Sequence, residues 1–187
     1  RFDHSKAGLP FASHPLVVLC QNNTGYKNLL KLVSAGYLEG FYYKPRVDKE
    51  LLRKHHEGLI ALSGSLLSEL PHLINIGQAK KARDAAREYQ EIFGKDNFFI
   101  ELVDSRLRDQ DKINAELRNI ASELGIPLVA ANNVLYTSRK DAHALEAVVR
   151  PEQRVVRRQQ DREAVTPLDL AEALALPLPP REFRGWR

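Results

Sequence analysis

Residues 98–131 read FFIELVDSRLRDQDKINAELRNIASELGIPLVAA and decide the fold of this chain. Two apolar runs, FFIELV and PLVAA, of which the first is interrupted only by Glu101, enclose a longer stretch in which Ile113 and Leu117 recur at helical spacing. Gly125 marks the end of that helix before the second run begins. Strands that are apolar throughout are typical of parallel sheets covered on both faces. The stretch therefore predicts a strand, a helix and a second, parallel strand joined by a right-handed crossover.

Two further runs of the same kind lie upstream, LVVLC at residues 16–20 and LIAL at residues 59–62. A helix is predicted after the first run, with Thr24 as its N-cap. Asp48 predicts the start of a shorter helix. The apolar stripe of the first helix, which we expect to face the core, comprises Tyr26, Leu29, Leu30, Val33 and Tyr37. The stripe of a third helix, which ends at Gly94, comprises Ala82, Ala85, Ala86, Tyr89, Ile92 and Phe93.

The order of these elements predicts an α/β fold with four parallel strands and covering helices. Because four strands do not close a barrel, the sheet is either a complete doubly wound domain or part of a barrel whose other strands are absent. The chain contains no methionine, not even at position 1. We therefore expect a piece of a longer protein, or a processed product, and favour the partial barrel.

The composition is that of an ordinary globular protein, with 43% hydrophobic and 28% charged residues. Cys20 is its one cysteine, which excludes an intrachain disulfide or a Cys-rich zinc site and favours a reduced, cytoplasmic setting. No apolar stretch is long enough to span a membrane, so we expect no membrane partner. The net charge of +4 is small beside the total charge and is weak evidence for a nucleic-acid partner.

The composition changes at Pro151, after which the chain has no lysine and is rich in arginine and proline. We therefore predict two segments. Residues 1–150 form the α/β domain, and residues 151–187 form a poorly ordered tail that is foreign to it.

Few residues stand in a pattern that indicates chemistry. The six histidines are scattered without metal-binding spacing, and no glycine-rich phosphate loop occurs. Ser65 follows the second strand, where a helix cap is a simpler explanation than a nucleophile. Glu101 and Asp104 lie around the end of the third strand. The loop GFYYKPRVD, residues 40–48, places aromatic rings beside two cations; it suits contact with a base, a phosphate or a protein, unless its rings simply cover the sheet.

Several motifs together carry a family resemblance. TGYKNL at residues 24–29, GFYYKPRVD at residues 40–48 and EGLIALSG at residues 57–64, followed by IELVD and GIPLVAANNVLY, make the chain similar to one particular domain. It resembles the PHP (polymerase and histidinol phosphatase) domain of bacterial replicative DNA polymerase III alpha subunits, from about His14 to about Val148. The resemblance implies a distorted seven-stranded β/α barrel at the start of a long polymerase chain, of which this sequence holds the last four strands.

The same resemblance implies a degenerate metal site. Where family members with an intact site read D-H, this chain has Asp104 and Ser105, and only the aspartate is retained. Where they read N-D-V-H-Y, Asn133 and Leu135 replace the aspartate and the histidine. Ser65 replaces a cysteine found in many members. Serine, asparagine and leucine are poor or impossible ligands for a transition metal. We therefore expect no metal bound by this chain and no catalytic residue in it, and Mg²⁺ only in the remainder of the polymerase.

The function that the resemblance implies is a structural part of a DNA-directed DNA polymerase, a nucleotidyltransferase of DNA replication. Its partners would be the remainder of the alpha chain, DNA reached through that chain, and a separate proofreading exonuclease subunit. One alternative is a metal-dependent phosphoesterase or 3′–5′ exonuclease of the wider PHP superfamily. Another is a stand-alone nucleic-acid-binding module, in which the candidate contact residues are Tyr42, Tyr43, Lys44 and Arg46.

Overall fold

The computed structural model describes residues 13–42, 44–104, 110–132, 137, 138 and 141. In this part of the chain, strands and helices alternate, as predicted. The strands are β1 (Val17–Cys20), β2 (Leu59–Leu62), β3 (Phe98–Val103) and β4 (Leu128–Ala131). The helices are α1 (Asn23–Leu38), α2 (Lys49–Lys54), α3 (Glu69–Asn75), α4 (Ala79–Phe93) and α5 (Gln110–Leu124). The predicted tail lies outside the described residues.

The four strands form one sheet in the order β1-β2-β3-β4. The pairs β2–β3 and β3–β4 are parallel, as residues 98–131 predict. The pair β1–β2 is antiparallel, with Val17 opposite Leu62 and Cys20 opposite Leu59. The prediction of an α/β fold with four strands is therefore confirmed, and the prediction that all four are parallel is wrong. The seven-stranded barrel stays a prediction.

The connection between β1 and β2 explains the reversal. α1 carries the chain away from the end of β1, and the segment that includes α2 brings it back to the same end of the sheet. The backbone at Gly58, just before β2, lies against the first turn of α1 at Gly25, and the amide of Gln21 donates to the Gly58 carbonyl at 2.9 Å. β2 therefore starts where β1 stops and runs in the opposite direction. A single crossover helix would have placed the strands parallel.

Helices cover one face of the sheet and form the core with it. The side chains of Phe98, Ile100 and Leu102 on β3 are fully buried there. The predicted stripe of α4 is confirmed, since all six of its members are buried. In α5, Ile113 and Leu117 are buried in the same core. Among the described residues, no helix combines the length and the apolar character needed to cross a membrane.

The predicted orientation of α1 is wrong. Its buried residues are Gly25, Asn28, Leu32 and Gly36, whereas four of the five residues of the predicted stripe are exposed: Tyr26, Leu30, Val33 and Tyr37. The N-cap is Asn22, whose side chain accepts from the Gly25 amide at 3.0 Å, and not Thr24. The glycines explain this orientation, because two backbone segments approach α1 at Gly25 and Gly36, and a larger side chain would hold them off.

Candidate functional site

The carboxyl ends of β2 and β3 lie side by side and carry a turn built from small residues. Ser63 directly follows β2 and is buried, and its Oγ accepts a hydrogen bond from the Glu101 amide at 2.9 Å. Gly64 follows with φ +80°, a left-handed conformation that favours glycine. Ser68 occupies the N-cap position of α3 without a capping hydrogen bond from its side chain. The turn is therefore fixed to β3 by a side-chain hydrogen bond that extends the short β2–β3 ladder.

Glu101 is a buried ionisable residue next to this turn. It lies in the middle of β3 and is only 8% exposed, and its carboxyl accepts a hydrogen bond from the Gly64 backbone amide. Its Oε2 has no hydrogen-bond partner among the described residues. Burial raises the pKa of Glu101, and the Gly64 amide opposes that rise only in part. The sequence placed Glu101 at the end of a strand but gave no sign of this environment.

The predicted remnants of a metal site are only partly described. Ser65 is exposed in the turn after β2, and Asp104 is half-buried directly after β3. Ser105, Asn133 and Leu135 lie outside the described residues. In the parts that the structure describes, no group of three or more His, Cys, Asp or Glu side chains could hold a metal ion. A hydroxyl and one carboxylate do not make the donor set that a catalytic transition metal needs. The described residues therefore do not fit a metal, and the metal-free state stays a prediction.

The predicted contact loop lies against the end of α1. Its backbone turns back on itself, with the Tyr42 amide donating to the Lys44 carbonyl at 3.1 Å. The Arg46 guanidinium lies 5.5 Å from the centre of the Tyr42 ring, a cation–π contact. Lys44 is exposed and Arg46 half-buried, while Tyr43 lies outside the described residues. Phe41 and Tyr42 are exposed and are not buried over the sheet, so the alternative that the rings of this loop cover the sheet is wrong for these two.

A second polar cluster, which the sequence did not reveal, joins three helices. Lys49 of α2 contacts Glu69 of α3 at 3.2 Å and Glu88 of α4 at 2.8 Å, and Arg53 contacts Glu88 at 2.6 Å. The Tyr89 hydroxyl donates to Glu69 at 2.7 Å. The partners in each of these contacts are 20 or more positions apart in the sequence, so only the packing of the helices brings them together.

Burial and the neighbouring charges in this cluster shift the pKa values of Glu88 and Tyr89. Burial raises the pKa of Glu88, but hydrogen bonds and attraction from Lys49 and Arg53 together outweigh it and hold the pKa below its usual value. Burial and the neighbouring Glu69 carboxylate raise the pKa of Tyr89, which therefore stays protonated and donates its hydrogen bond. The cluster holds α2, α3 and α4 together and has the character of a structural network.

Comparison with known families assigns the class of the chain. Residues 3–105 match the PHP domain model, which is more than half of the sequence. The chain belongs to the PHP domain family.

Three relatives show which proteins of this family the chain resembles. The chain is 45% identical over 149 residues to the DNA polymerase III subunit alpha of Treponema pallidum, which is 80% of this chain and 13% of that protein. It is 47% identical over 134 residues to the same subunit of Deinococcus radiodurans, 72% of this chain and 10% of that protein. It is 43% identical over 150 residues to that of Thermus aquaticus, 80% of this chain and 12% of that protein. The chain thus spans only a small part of these relatives.

Proposed function

We propose that this chain serves as the PHP region of a replicative DNA polymerase alpha subunit and has a structural, non-catalytic role in DNA replication. The observation that carries the proposal is its identity of 43 to 47% to alpha subunits from three bacteria. Nucleotidyl transfer, with its divalent metal ions, belongs to the remainder of such a polymerase.

The geometry at the carboxyl ends of β2 and β3 supports the non-catalytic role. Activation of water by a metal needs several fixed ligands and an open position. Asp104 has no such set around it among the described residues. Glu101 is hydrogen-bonded to the turn at Gly64, and burial raises the pKa of its carboxyl group, which disfavours the ionised form that binds a metal. These features suit a site whose role is to hold the turn against β3.

The proposed partners follow from this role. The first is the remainder of the alpha chain, through which the chain would reach DNA. Because a PHP region without a metal cannot remove mispaired nucleotides, proofreading falls to a separate exonuclease subunit. The phosphoesterase alternative differs from this proposal by one property, a metal-dependent nuclease activity that depends on Asp104.

A chimera tests the proposal. The matching segment of the Treponema pallidum alpha subunit is replaced by that of this chain, and primer extension and metal-dependent 3′–5′ nuclease activity are measured. We expect primer extension as in the parent polymerase and no nuclease activity with Mn²⁺ or Zn²⁺. A chimera that is folded by circular dichroism but unable to extend primers would refute the structural role.

The 187-residue chain and one variant complete the test. We expect the chain alone neither to extend primers nor to retain stoichiometric zinc or manganese after dialysis. A nuclease activity that Asp104→Asn abolishes, with an unchanged unfolding midpoint, would support the phosphoesterase alternative and overturn the proposal. Ser65→Ala is the matched control, because its exposed hydroxyl lies at the same edge of the sheet.

A further inference from the structure

The exposed side of α1 carries an apolar stripe that no described residue covers. Its members recur at positions i, i+4, i+7 and i+11, the spacing of a helix that packs along a second element, and the stripe continues past the helix end. We call this surface the α1 outer face; its residues and their exposed fractions are Tyr26 (56%), Leu30 (49%), Val33 (49%), Tyr37 (59%) and Phe41 (54%). Single exposed apolar residues are ordinary, but five that follow one line indicate an interface.

The rim of this surface is basic. Lys27 and Lys31 lie one turn apart on α1 and are exposed beside the stripe, and no ion pair in the described part of the chain involves either of them. Lys44 is exposed in the loop beyond the helix. Glu39, at the C-cap, is the one carboxylate in residues 23–39. A complementary surface is therefore apolar along its middle and acidic at its edge.

We propose that the α1 outer face is the contact surface for another domain of the polymerase alpha chain, which presents an apolar ridge with an acidic edge. The inference rests on the proposed function. The alpha-subunit relatives extend far beyond the aligned segment, which is 10 to 13% of their length. A domain of this kind in such a chain has abundant neighbouring protein against which to pack.

The area of the face favours a tethered partner over a second copy. The three aromatic side chains would each bury about 150–250 Å² in full and are half exposed, so together with the smaller Leu30 and Val33 they leave roughly 400–500 Å² of apolar surface. Independent partners of stable complexes bury about 800 Å² each, which exceeds this area. Domains of one chain meet at effective concentrations in the millimolar range, and interfaces between them start at about 600 Å². The face and its counterpart together would bury roughly 800–1,000 Å², which lies within the range of interfaces between domains.

The chemistry of the face favours protein over nucleic acid. Single strands bind through aromatic rings on which the bases stack, whereas Leu30 and Val33 in the middle of the face offer no such ring. Tyr37 and Phe41 already stack on each other, with ring centres 6.2 Å apart and planes at 24°. These features suit an interlocking apolar partner more than a row of bases.

Hydrogen exchange of the α1 amides tests this inference. It is measured in the 187-residue chain and in the Treponema pallidum chimera, without DNA. We expect exchange in α1 to be about tenfold or more slower in the chimera, because a covered helix opens less often. The double variant Leu30→Glu/Tyr37→Glu should abolish this difference and leave the unfolding midpoint of the 187-residue chain unchanged, since both side chains are exposed. Ala115→Glu/Ser122→Glu, at exposed positions of α5 with the same spacing, is the matched control and should retain the protection.

Each other outcome overturns the inference. Equal exchange in the two proteins would show that the face is uncovered. Protection that appears only when single-stranded DNA is added would assign the face to nucleic acid, and protection in the 187-residue chain that grows with its concentration would assign it to a second copy. Primer extension reports separately on the proposed function. A chimera that extends primers with an unprotected α1 refutes only the inference, and one with a protected α1 that extends none refutes only the proposed function.

Discussion

The contact between α1 and the turn before β2 predicts that Gly25→Ala strongly destabilises the chain. A Cβ at this position would lie 2.5 Å from the carbonyl carbon of Gly58 and closer still to its oxygen. Overpacking costs about 1–3 kcal/mol, and the upper end applies because the obstacle is backbone that has no other rotamer. The helix itself gains about 1 kcal/mol from the change of glycine to alanine. The expected net loss is therefore about 2 kcal/mol.

Urea unfolding followed by circular dichroism, together with a thermal melt, measures this loss. For a chain of this size, about 2 kcal/mol corresponds to a melting temperature lowered by roughly 4–8 °C. Gly36→Ala is the graded control in the same helix, because its Cβ would lie 3.3 Å from the Arg46 carbonyl oxygen, a contact that a small shift relieves. We expect a change near zero for Gly36→Ala. A Gly25→Ala variant as stable as the original chain would refute the close packing of α1 on this turn.

Three further substitutions test the electrostatics and the turn. Because burial raises the pKa of Glu101 in the folded chain, the free energy of unfolding should fall as the pH rises from the usual carboxyl pKa through the raised one. Glu101→Gln should remove this fall in urea titrations carried out across that pH range. Glu88→Gln should lower the free energy of unfolding by about 1 kcal/mol or less at pH 7, since Glu88 is partly exposed. At a pH below the lowered pKa of Glu88 the substitution should have no effect, because the carboxyl group is then neutral. An equal loss at both pH values would contradict the ion pairs. Ser63→Ala should cost about 1–2 kcal/mol by leaving the Glu101 amide unpaired, and exposed Ser65→Ala should cost nothing in the same melts.

The parts of the fold that the sequence predicted are those in which local pattern and packing agree. FFIELV is a strand buried in the interior of the sheet, PLVAA is the strand beside it at the sheet edge, and the apolar stripe of α4 is buried against the core. α1 differs, because its close contacts are made by the backbone at two glycines. A pattern of hydrophobic side chains cannot show that a glycine lies at a contact. The sequence identified the apolar residues of α1, but most of them line the exposed face of the helix and not, as predicted, the face in the core.

The candidate site was less predictable than the fold. Ser65 and Asp104 could be recognised by family resemblance, since Ser65 directly follows the EGLIALSG motif and Asp104 is the last residue of IELVD. The environment of Glu101 could not, because its burial depends on β2 and β4 as well as on its own strand. The pairing of Lys49 with Glu88 was equally hidden, since it depends on how α2 packs against α4. The antiparallel pairing of β1 with β2 was not predicted, because the length of a connection does not show whether the chain returns to the same end of the sheet or crosses to the other end.

The antiparallel direction of β1 decides where the chain enters the domain. β1 begins at the edge of the sheet at which β2 and β3 end, and the residues before it lie against the turn after β2: His14 Nδ1 is 3.0 Å from the Leu67 carbonyl oxygen, and its ring lies 5.1 Å from that of His72. Had β1 been parallel, this approach would lie at the opposite edge. Residues 13–16 therefore run beside the turn after β2, with the Pro15 carbonyl oxygen 3.6 Å from the place that a Cβ on Gly64 would take, so substitutions in this entry segment and in that turn should not have additive effects on stability.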